Sequence, residues 1–428
     1  MKEKKYLLSI ICVYMCYFTH GIQALILGQN NVNFAIQWGF KMGNPDSAAY
    51  AAGIAAVSTA IAATGLGKFI SVWIGGEISD KIGRKKMMIT GAILYIVCFV
   101  LLLTTKSATV ATVSAFLAGV ATSGFWDASG YPAVQEAYPK APGAALIGIK
   151  FFVSLSGMVY PLFVVQMATA GNWKMSVILP VVLSVVCLII AVIAPFVYDD
   201  EKKAAAQSKS ENGDVIKAEI EAAKAKMLVK PSTFVKFLVM FYAFLCMAIM
   251  YGAQQYTKAF GFAYCGLTEM QAASLTSIFT LGSLAAVIFW AFMMAKLKWN
   301  PLKVILVDSV MTAIALLLVL FVHQLSVIYV AIALLGFFAS GGALQTGLGV
   351  VQEFNPGPKG RNTGIYYTFM GAASYLIPVV AAKLTSASGE SAAIYTLMGM
   401  LLVFAVLAIL SSLFLVGQYK KIFGESAL

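Results

Sequence analysis

Twelve apolar runs, each about the length that crosses a bilayer, constrain this chain more than any other feature. A helix rising 1.5 Å per residue needs about 20 mainly apolar residues to span the hydrocarbon layer. Such runs fall at roughly 6–29, 48–76, 87–104, 108–135, 144–168 and 175–198. After a polar stretch they resume at 233–257, 269–295, 302–322, 325–352, 362–384 and 392–417. Only 11% of the 428 residues are charged and 60% are hydrophobic, whereas a soluble domain carries about 25% charged residues. The first run follows a basic N-terminus in the manner of a signal peptide. Its length and the lack of a small-residue cleavage site make it a retained first span. The expectation is an all-α integral membrane protein made of twelve transmembrane helices.

The placement of charge gives the orientation. Lys2, Lys4, Lys5, Lys81, Arg84, Lys85, Lys86, Lys140, Lys296, Lys298, Lys303, Lys359, Arg361, Lys420 and Lys421 fall in one set of connectors, with the lysines of 199–231. The alternate set holds Lys41, Lys106, Lys174, Lys258 and Lys383. The positive-inside rule places the richer set, and both termini, in the cytoplasm. The net charge of +12 is thus read as topology, not as affinity for nucleic acid. The six cysteines, Cys12, Cys16, Cys98, Cys187, Cys246 and Cys265, lie in or beside apolar runs without metal-ligand spacing and read as small packing residues. With His20 and His323 as the two histidines no His-based metal site can form, and no phosphate-binding G-x-x-x-x-G-K-[ST] occurs. The expectation is a protein without cofactor or metal and without enzymatic activity, driven by gradients.

The two halves repeat. At a constant offset of 217 residues, Leu117, Gly119, Ser123, Gly124, Gly130, Val134, Gln135, Glu136, Pro139, Gly143, Phe152 and Pro161 match Leu334, Gly336, Ser340, Gly341, Gly347, Val351, Gln352, Glu353, Pro356, Gly360, Phe369 and Pro378. Thr59, Gly65 and Trp73 match Thr276, Gly282 and Trp290 at the same offset, and Gly21 and Gln23 match Gly252 and Gln254 at 231. Since six spans separate the copies, they run in the same direction. The expected organisation is an N-terminal six-helix bundle over 1–198, a cytoplasmic linker with an amphipathic helix over 199–231, and a C-terminal six-helix bundle over 232–428. A parallel pseudo-two-fold axis relates the bundles.

Between the second and third runs stands G-E-I-S-D-K-I-G-R-K, Gly76 to Lys85. Its charges are expected in a solvated connector, with Gly76 and Gly83 permitting close packing and a sharp turn. The stretch resembles the loop signature of the major facilitator superfamily, G-x-x-x-D-[RK]-x-G-[RK]-[RK], with Gly76, Asp80, Lys81, Gly83, Arg84 and Lys85 filling every slot. The resemblance implies two six-helix bundles and a solute site at midplane between them. It also implies that Asp80 caps the start of span eleven near Arg361–Thr363, where a helix N-terminus favours an anion. Arg84 would pair with an acid such as Glu136. Glu136 and its repeat mate Glu353 read as gate or loop anchors.

Charges at bilayer depth cost a few kcal/mol each and call for a reason. Asp127, Lys150 and Lys68 lie roughly 10–14 Å from the membrane face at 1.5 Å per residue. Their repeat partners are Leu344, Tyr367 and Ala285, so the repeat does not account for them. One reading is an Asp127–Lys150 pair that holds spans four and five together. The other is that Asp127 binds a proton or a solute hydroxyl while Lys150 or Lys68 answers it electrostatically. Phe125 to Pro132, F-W-D-A-S-G-Y-P, is loosely similar to the fourth span of fucose permease-like sugar transporters, with Asp127 and Pro132 in the carboxylate and proline places. Tyr131 replaces that family's Asn, and span one lacks its second carboxylate. His20 is either a packed histidine or a proton relay. Gln23 and Gln254 are expected as a symmetric pair of solute ligands, joined by Tyr251, Gln255, Tyr256, Gln345, Tyr366 and Tyr367, with Trp126 offering a flat face. Asp308, in a peripheral span, reads as structural.

These features point to a monomeric secondary transporter in the cytoplasmic membrane that carries a small polar solute, a sugar or organic acid, with protons. A drug–proton antiporter and a facilitative uniporter are the alternatives; a non-transporting receptor is a third class.

Overall fold

A computed structural model describes residues 5–45, 47–138, 142–200, 227–356 and 359–428. Among the described residues twelve helices are long and apolar enough to span a membrane. They are α1 (Leu7–Gln29), α2 (Ala48–Ile82), α3 (Arg84–Thr104), α4 (Ala108–Ala137), α5 (Gly148–Thr169) and α6 (Met175–Asp200), then α7 (Thr233–Tyr264), α8 (Glu269–Met294), α9 (Pro301–Phe321), α10 (Leu325–Phe354), α11 (Asn362–Ser388) and α12 (Glu390–Phe423). The expected amphipathic helix of the linker lies outside the described residues, as do Lys140 and the side chains of Gln345 and Arg361.

The hairpin between α2 and α3 is tighter than the sequence suggests. Helix α2 continues through Asp80 and Lys81 to Ile82, and α3 starts at Arg84. The connector is Gly83 alone, at φ +98°, a conformation that a side chain would strain. Asp199, at the end of α6, accepts the Lys85 backbone N–H at 3.0 Å, and its carboxylate occupies the space a Gly83 side chain would need. Gly76, expected to serve close packing, faces open space; its neighbour Gly75 is the one pressed against the Gly124 carbonyl. Gly67 and Gly119 likewise meet the backbones of Phe116 and Thr64. Four small residues thereby let α2 and α4 pack backbone to backbone, as membrane helices do where hydrophobicity supplies no drive between them.

Helix α4 departs from α geometry where it matters. Residues Val120–Asp127 form a π-helical stretch, and Phe337–Gly342 form another in α10. They begin at the repeat-matched positions Val120 and Phe337, and each contains the matched Ser–Gly pair, Ser123–Gly124 and Ser340–Gly341. Local π turns inside α-helices are frequent at functional sites, because the widened turn redirects side chains.

The compact units differ from the two halves of the chain. One unit contains Met1–Ser208, Gln255–Thr280 and Ser374–Thr396; the other contains Lys209–Gln254, Leu281–Ala373 and Leu397–Leu428. In the first, α1 packs on α5 and α6, α2 on α4, and α3 on α4 and α6. The end of α7 is tied to the end of α1. Gln255 Nε2 donates to the Ala24 carbonyl at 2.6 Å, and Lys258 Nζ donates to the Gln29 carbonyl at 3.1 Å. Gln29 Nε2 donates to Thr276 Oγ1 of α8 at 3.2 Å. Gly65 of α2 lies against the Ser374 backbone of α11. In the second unit α9 packs on α10, and a core forms around Tyr242, Leu245, Ile305, Val351, Phe354 and Tyr366.

Candidate functional site

Asp127 ends the π stretch of α4 and stands among side chains from α1, α2 and α3. Tyr17 Oη donates to Asp127 Oδ1 at 2.9 Å, and Ser123 Oγ donates to Oδ2 at 2.9 Å. Each carboxylate oxygen thus keeps one neutral donor. The nearby cation whose charge acts on Asp127 is Lys68 of α2, yet no salt bridge closes between them among the described residues. The same lysine acts on His20. His20 Nδ1 lies 3.2 Å from Tyr95 Oη, which lies 2.6 Å from Thr122 Oγ1. Tyr17 meets the rings of His20 and Tyr131 edge-on, at centroid distances of 6.1 and 5.3 Å. Gln23 is buried one turn above His20, and its Oε1 has no hydrogen-bond partner among the described residues.

His20, Lys68 and Asp127 are half-buried, whereas Tyr95 and Thr122 behind them are fully enclosed. The cluster is therefore a reactive front backed by a fixed wall. A carboxylate held by two neutral hydroxyls can gain a proton without losing a salt bridge. An unpaired carboxamide oxygen and a nearby ammonium offer an acceptor and a positive charge to a polar guest.

The hydrogen-bond partners that the structure gives Asp127 among the described residues are Tyr17 and Ser123, and the cation acting on it is Lys68; Lys150 is half-buried on α5. Trp126 offers no face to a solute. It is fully buried on the far side of α4, its indole N–H donates to the Met88 carbonyl at 3.2 Å, and its ring stacks on Tyr95 at 4.2 Å. One residue of helix rotation separates it from Asp127, and that rotation sends the two side chains to different faces. Gln255 is buried against Gly28 and bonded to the backbone of α1, a tie between helices. Tyr366 is buried in the core of the second unit, edge-on to Tyr367; Tyr251 is buried on α7, and Gln254 and Tyr367 are half-buried.

The loop signature forms a second cluster. The Arg84 side chain, 7% exposed, bonds through Nη1 to Ser79 Oγ at 2.6 Å and to Asp80 Oδ1 at 2.7 Å. Its Nε and Nη2 reach Glu136 Oε1 at 3.2 and 3.1 Å, and its guanidinium lies 4.3 Å from the Tyr198 ring centroid. Tyr198 Oη donates to the Asp80 carbonyl at 2.6 Å. The repeat-matched Glu353 accepts from Tyr419 of α12 at 2.7 Å. Sequence reasoning missed Tyr17, Ser123, Tyr95 and Thr122. Nothing local distinguishes one tyrosine or serine in a span from its many equivalents. It also missed Tyr198, which read as the last residue of the sixth span, and Asp199, which read as the first of the linker.

The profile of the Major Facilitator Superfamily matches residues 7–267 and 262–422. The chain belongs to this superfamily. It is 27% identical over 420 residues to the inner membrane transport protein YdiN of Escherichia coli K12, covering 98% of this chain and 92% of that one. A shorter stretch of 92 residues is 35% identical to the multidrug transporter MdfA of Escherichia coli O6:H1, 22% of each chain. The crystal structure of a D-xylose–proton symporter superposes with a TM-score of 0.71 at 13% identity, covering 96% of this chain and 97% of that one. At that identity the likeness speaks for the fold alone. This superfamily member is a multi-pass membrane transporter of small-molecule solutes, with twelve candidate membrane-spanning helices among the described residues.

Proposed function

We propose that this transporter moves a small polar organic solute, a sugar or an organic acid, by alternating access, and that Asp127 couples the movement to protons. The observation that carries the reading is the environment of Asp127: two neutral donors at 2.9 Å, Lys68 close but unbonded, and His20 and Gln23 on the adjoining face of α1. A carboxylate at bilayer depth costs a few kcal/mol, and a carboxylate in permanent need of its charge would be tied to its cation. The gap between Asp127 and Lys68 suits a site in which proton and solute exchange places. His20, Gln23 and Lys68 would contact the solute from the first half of the chain. Lys150, Tyr251, Gln254, Gln345 and Tyr367 remain candidates on their respective helices. The distribution of lysine and arginine favours cytoplasmic termini. The protein would act as a monomer in the cytoplasmic membrane, facing lipid along exposed apolar residues such as Ile193, Ile288 and Phe321.

The local likeness to MdfA supports a second reading, export of amphipathic cations in exchange for protons. Lys68 beside Asp127 opposes it, because a fixed ammonium repels a cationic guest. Proteoliposome uptake under an imposed pH gradient tests both. Candidate sugars, sugar acids and carboxylates are first ranked by the thermal shift they produce, since a bound solute raises stability by mass action. Asp127→Asn should abolish gradient-driven accumulation while retaining exchange of solute. Accumulation that survives Asp127→Asn rejects the proton assignment, and downhill flux indifferent to the gradient in the unmodified protein indicates a uniporter. Drug cations driven outward by the gradient would establish the antiport reading.

A further inference from the structure

Asp308 of α9 poses a problem that the transport site does not solve. It is 1% exposed, and neither carboxylate oxygen has a hydrogen-bond partner among the described residues. A structural carboxylate holds a neighbouring donor, and among the described residues Asp308 bonds none. The Trp290 indole N–H of α8 faces it from outside hydrogen-bonding geometry and is itself unpartnered. A buried acceptor left unsatisfied costs about 1–3 kcal/mol, and more when charged.

Beside Asp308 is a cavity of about 10 Å³, close to the room one water molecule needs. Tyr242, Ser309 and Thr312, each at least nine-tenths buried, are among its lining residues. Ala339, within the π stretch of α10, completes the rim, and its carbonyl takes a long 3.8 Å contact from Cys246 Sγ. Three hydroxyl-bearing residues and a carboxylate without a hydrogen-bond partner among the described residues thus border a space the size of one small guest. Among the described residues the titratable groups facing Asp308 are Tyr242 and Cys246, neither of them cationic. No group of three or more His, Cys, Asp or Glu residues suited to a metal ion occurs among the described residues, so a transition metal does not fit. Hard oxygen donors around a single negative charge suit a small monovalent cation.

We infer that Asp308, Tyr242, Ser309 and Thr312 form a site for one small monovalent cation, either a sodium ion or a proton carried with one water, inside the second unit and separate from the Asp127 cluster. The guest neutralises Asp308 and supplies the partner its oxygens lack.

The test uses the purified full-length protein in nanodiscs. Thermal unfolding is followed in sodium, potassium and choline chloride at equal ionic strength, on the acid and alkaline sides of neutrality, together with direct binding of radioactive sodium. If the guest is sodium, the midpoint rises saturably with sodium over potassium and choline. That rise is lost in Asp308→Asn and reduced in Thr312→Val, which removes an oxygen but no charge. If the guest is a proton, sodium has no advantage; the midpoint rises on acidification, the rise disappears in Asp308→Asn, and Thr312→Val keeps it. Asp308→Leu is a second neutral variant should Asp308→Asn fail to fold. In Asp127→Asn the Asp308-dependent response persists, which separates this site from the transport site. No sodium binding, together with a pH response that Asp308→Asn or Asp308→Leu leaves unchanged, overturns the inference.

Discussion

Arg84 shows how much one side chain gathers. Its guanidinium serves Ser79, Asp80 and Glu136 at once and covers the Tyr198 ring. The planar fork can do this; an ammonium, a point charge with three donors, cannot reproduce the set. Replacement by Lys should lower the thermal midpoint and cost about 2 kcal/mol, the scale of a lost hydrogen bond to a charged group. Glu136→Gln should cost less, because it keeps an oxygen acceptor for the guanidinium. The check is unfolding of each variant in one detergent; equal midpoints for Arg84→Lys and the parent protein would remove the argument. The acidic and basic residues of this cluster were readable in the chain because charges interrupt an apolar pattern. Its aromatic and hydroxyl members were not, because nothing in a span marks which tyrosine turns inward.

At the scale of elements, glycine position decides how closely α2 and α4 approach. Gly75 abuts the Gly124 carbonyl, while Gly76, one residue on, faces open space. Gly75→Leu should separate the helices and displace the π stretch that presents Asp127, with loss of both stability and uptake. Gly76→Leu should leave stability close to that of the parent. Comparing the two by unfolding and by proteoliposome flux isolates packing from the mere loss of a glycine. The repeat pairs Gly65 with Gly282 in sequence, yet they do different work: Gly65 meets the Ser374 backbone of α11, Gly282 the Ala333 carbonyl of α10. A repeat in sequence predicts that a small residue stands at a position, and the neighbouring helix decides what it accommodates. The two π stretches are a further instance. The Ser–Gly steps that they share were visible as repeat identities, but an extra residue in a helical turn leaves no periodic signal of its own.

At the scale of the whole molecule, the ties among the ends of α1, α7 and α8 have a mechanical consequence. Gln29, Thr276, Gln255 and Lys258 join helices from the two halves of the chain within one compact unit. Under the alternating access proposed above, such ties must break once per cycle. Gln29→Cys with Thr276→Cys, placed in a variant lacking the six native cysteines, should cross-link on oxidation and stop uptake, and reduction should restore it. Uptake that continues at full rate in the cross-linked protein would mean that α1 and α8 never part. Lys258 is the informative residue here: as a lone basic residue in a sparsely charged connector it read as topology, but it reaches the carbonyl end of α1, where a cation is favoured.

Taken alone, the chain determined the number of spans, their alternating direction, the internal repeat and the loop signature. All of these follow from apolar run length, charge placement and spacing, which are one-dimensional quantities that folding cannot alter. Only the tertiary structure decided that Asp127 bonds Tyr17 and Ser123, that Trp126 is walled in, and that Asp308 stands beside a small cavity without a hydrogen-bond partner among the described residues. The reason is rotational. A helix turns about 100° per residue, so which side chains meet depends on the phase of each helix and the angle of its neighbour, and packing sets both.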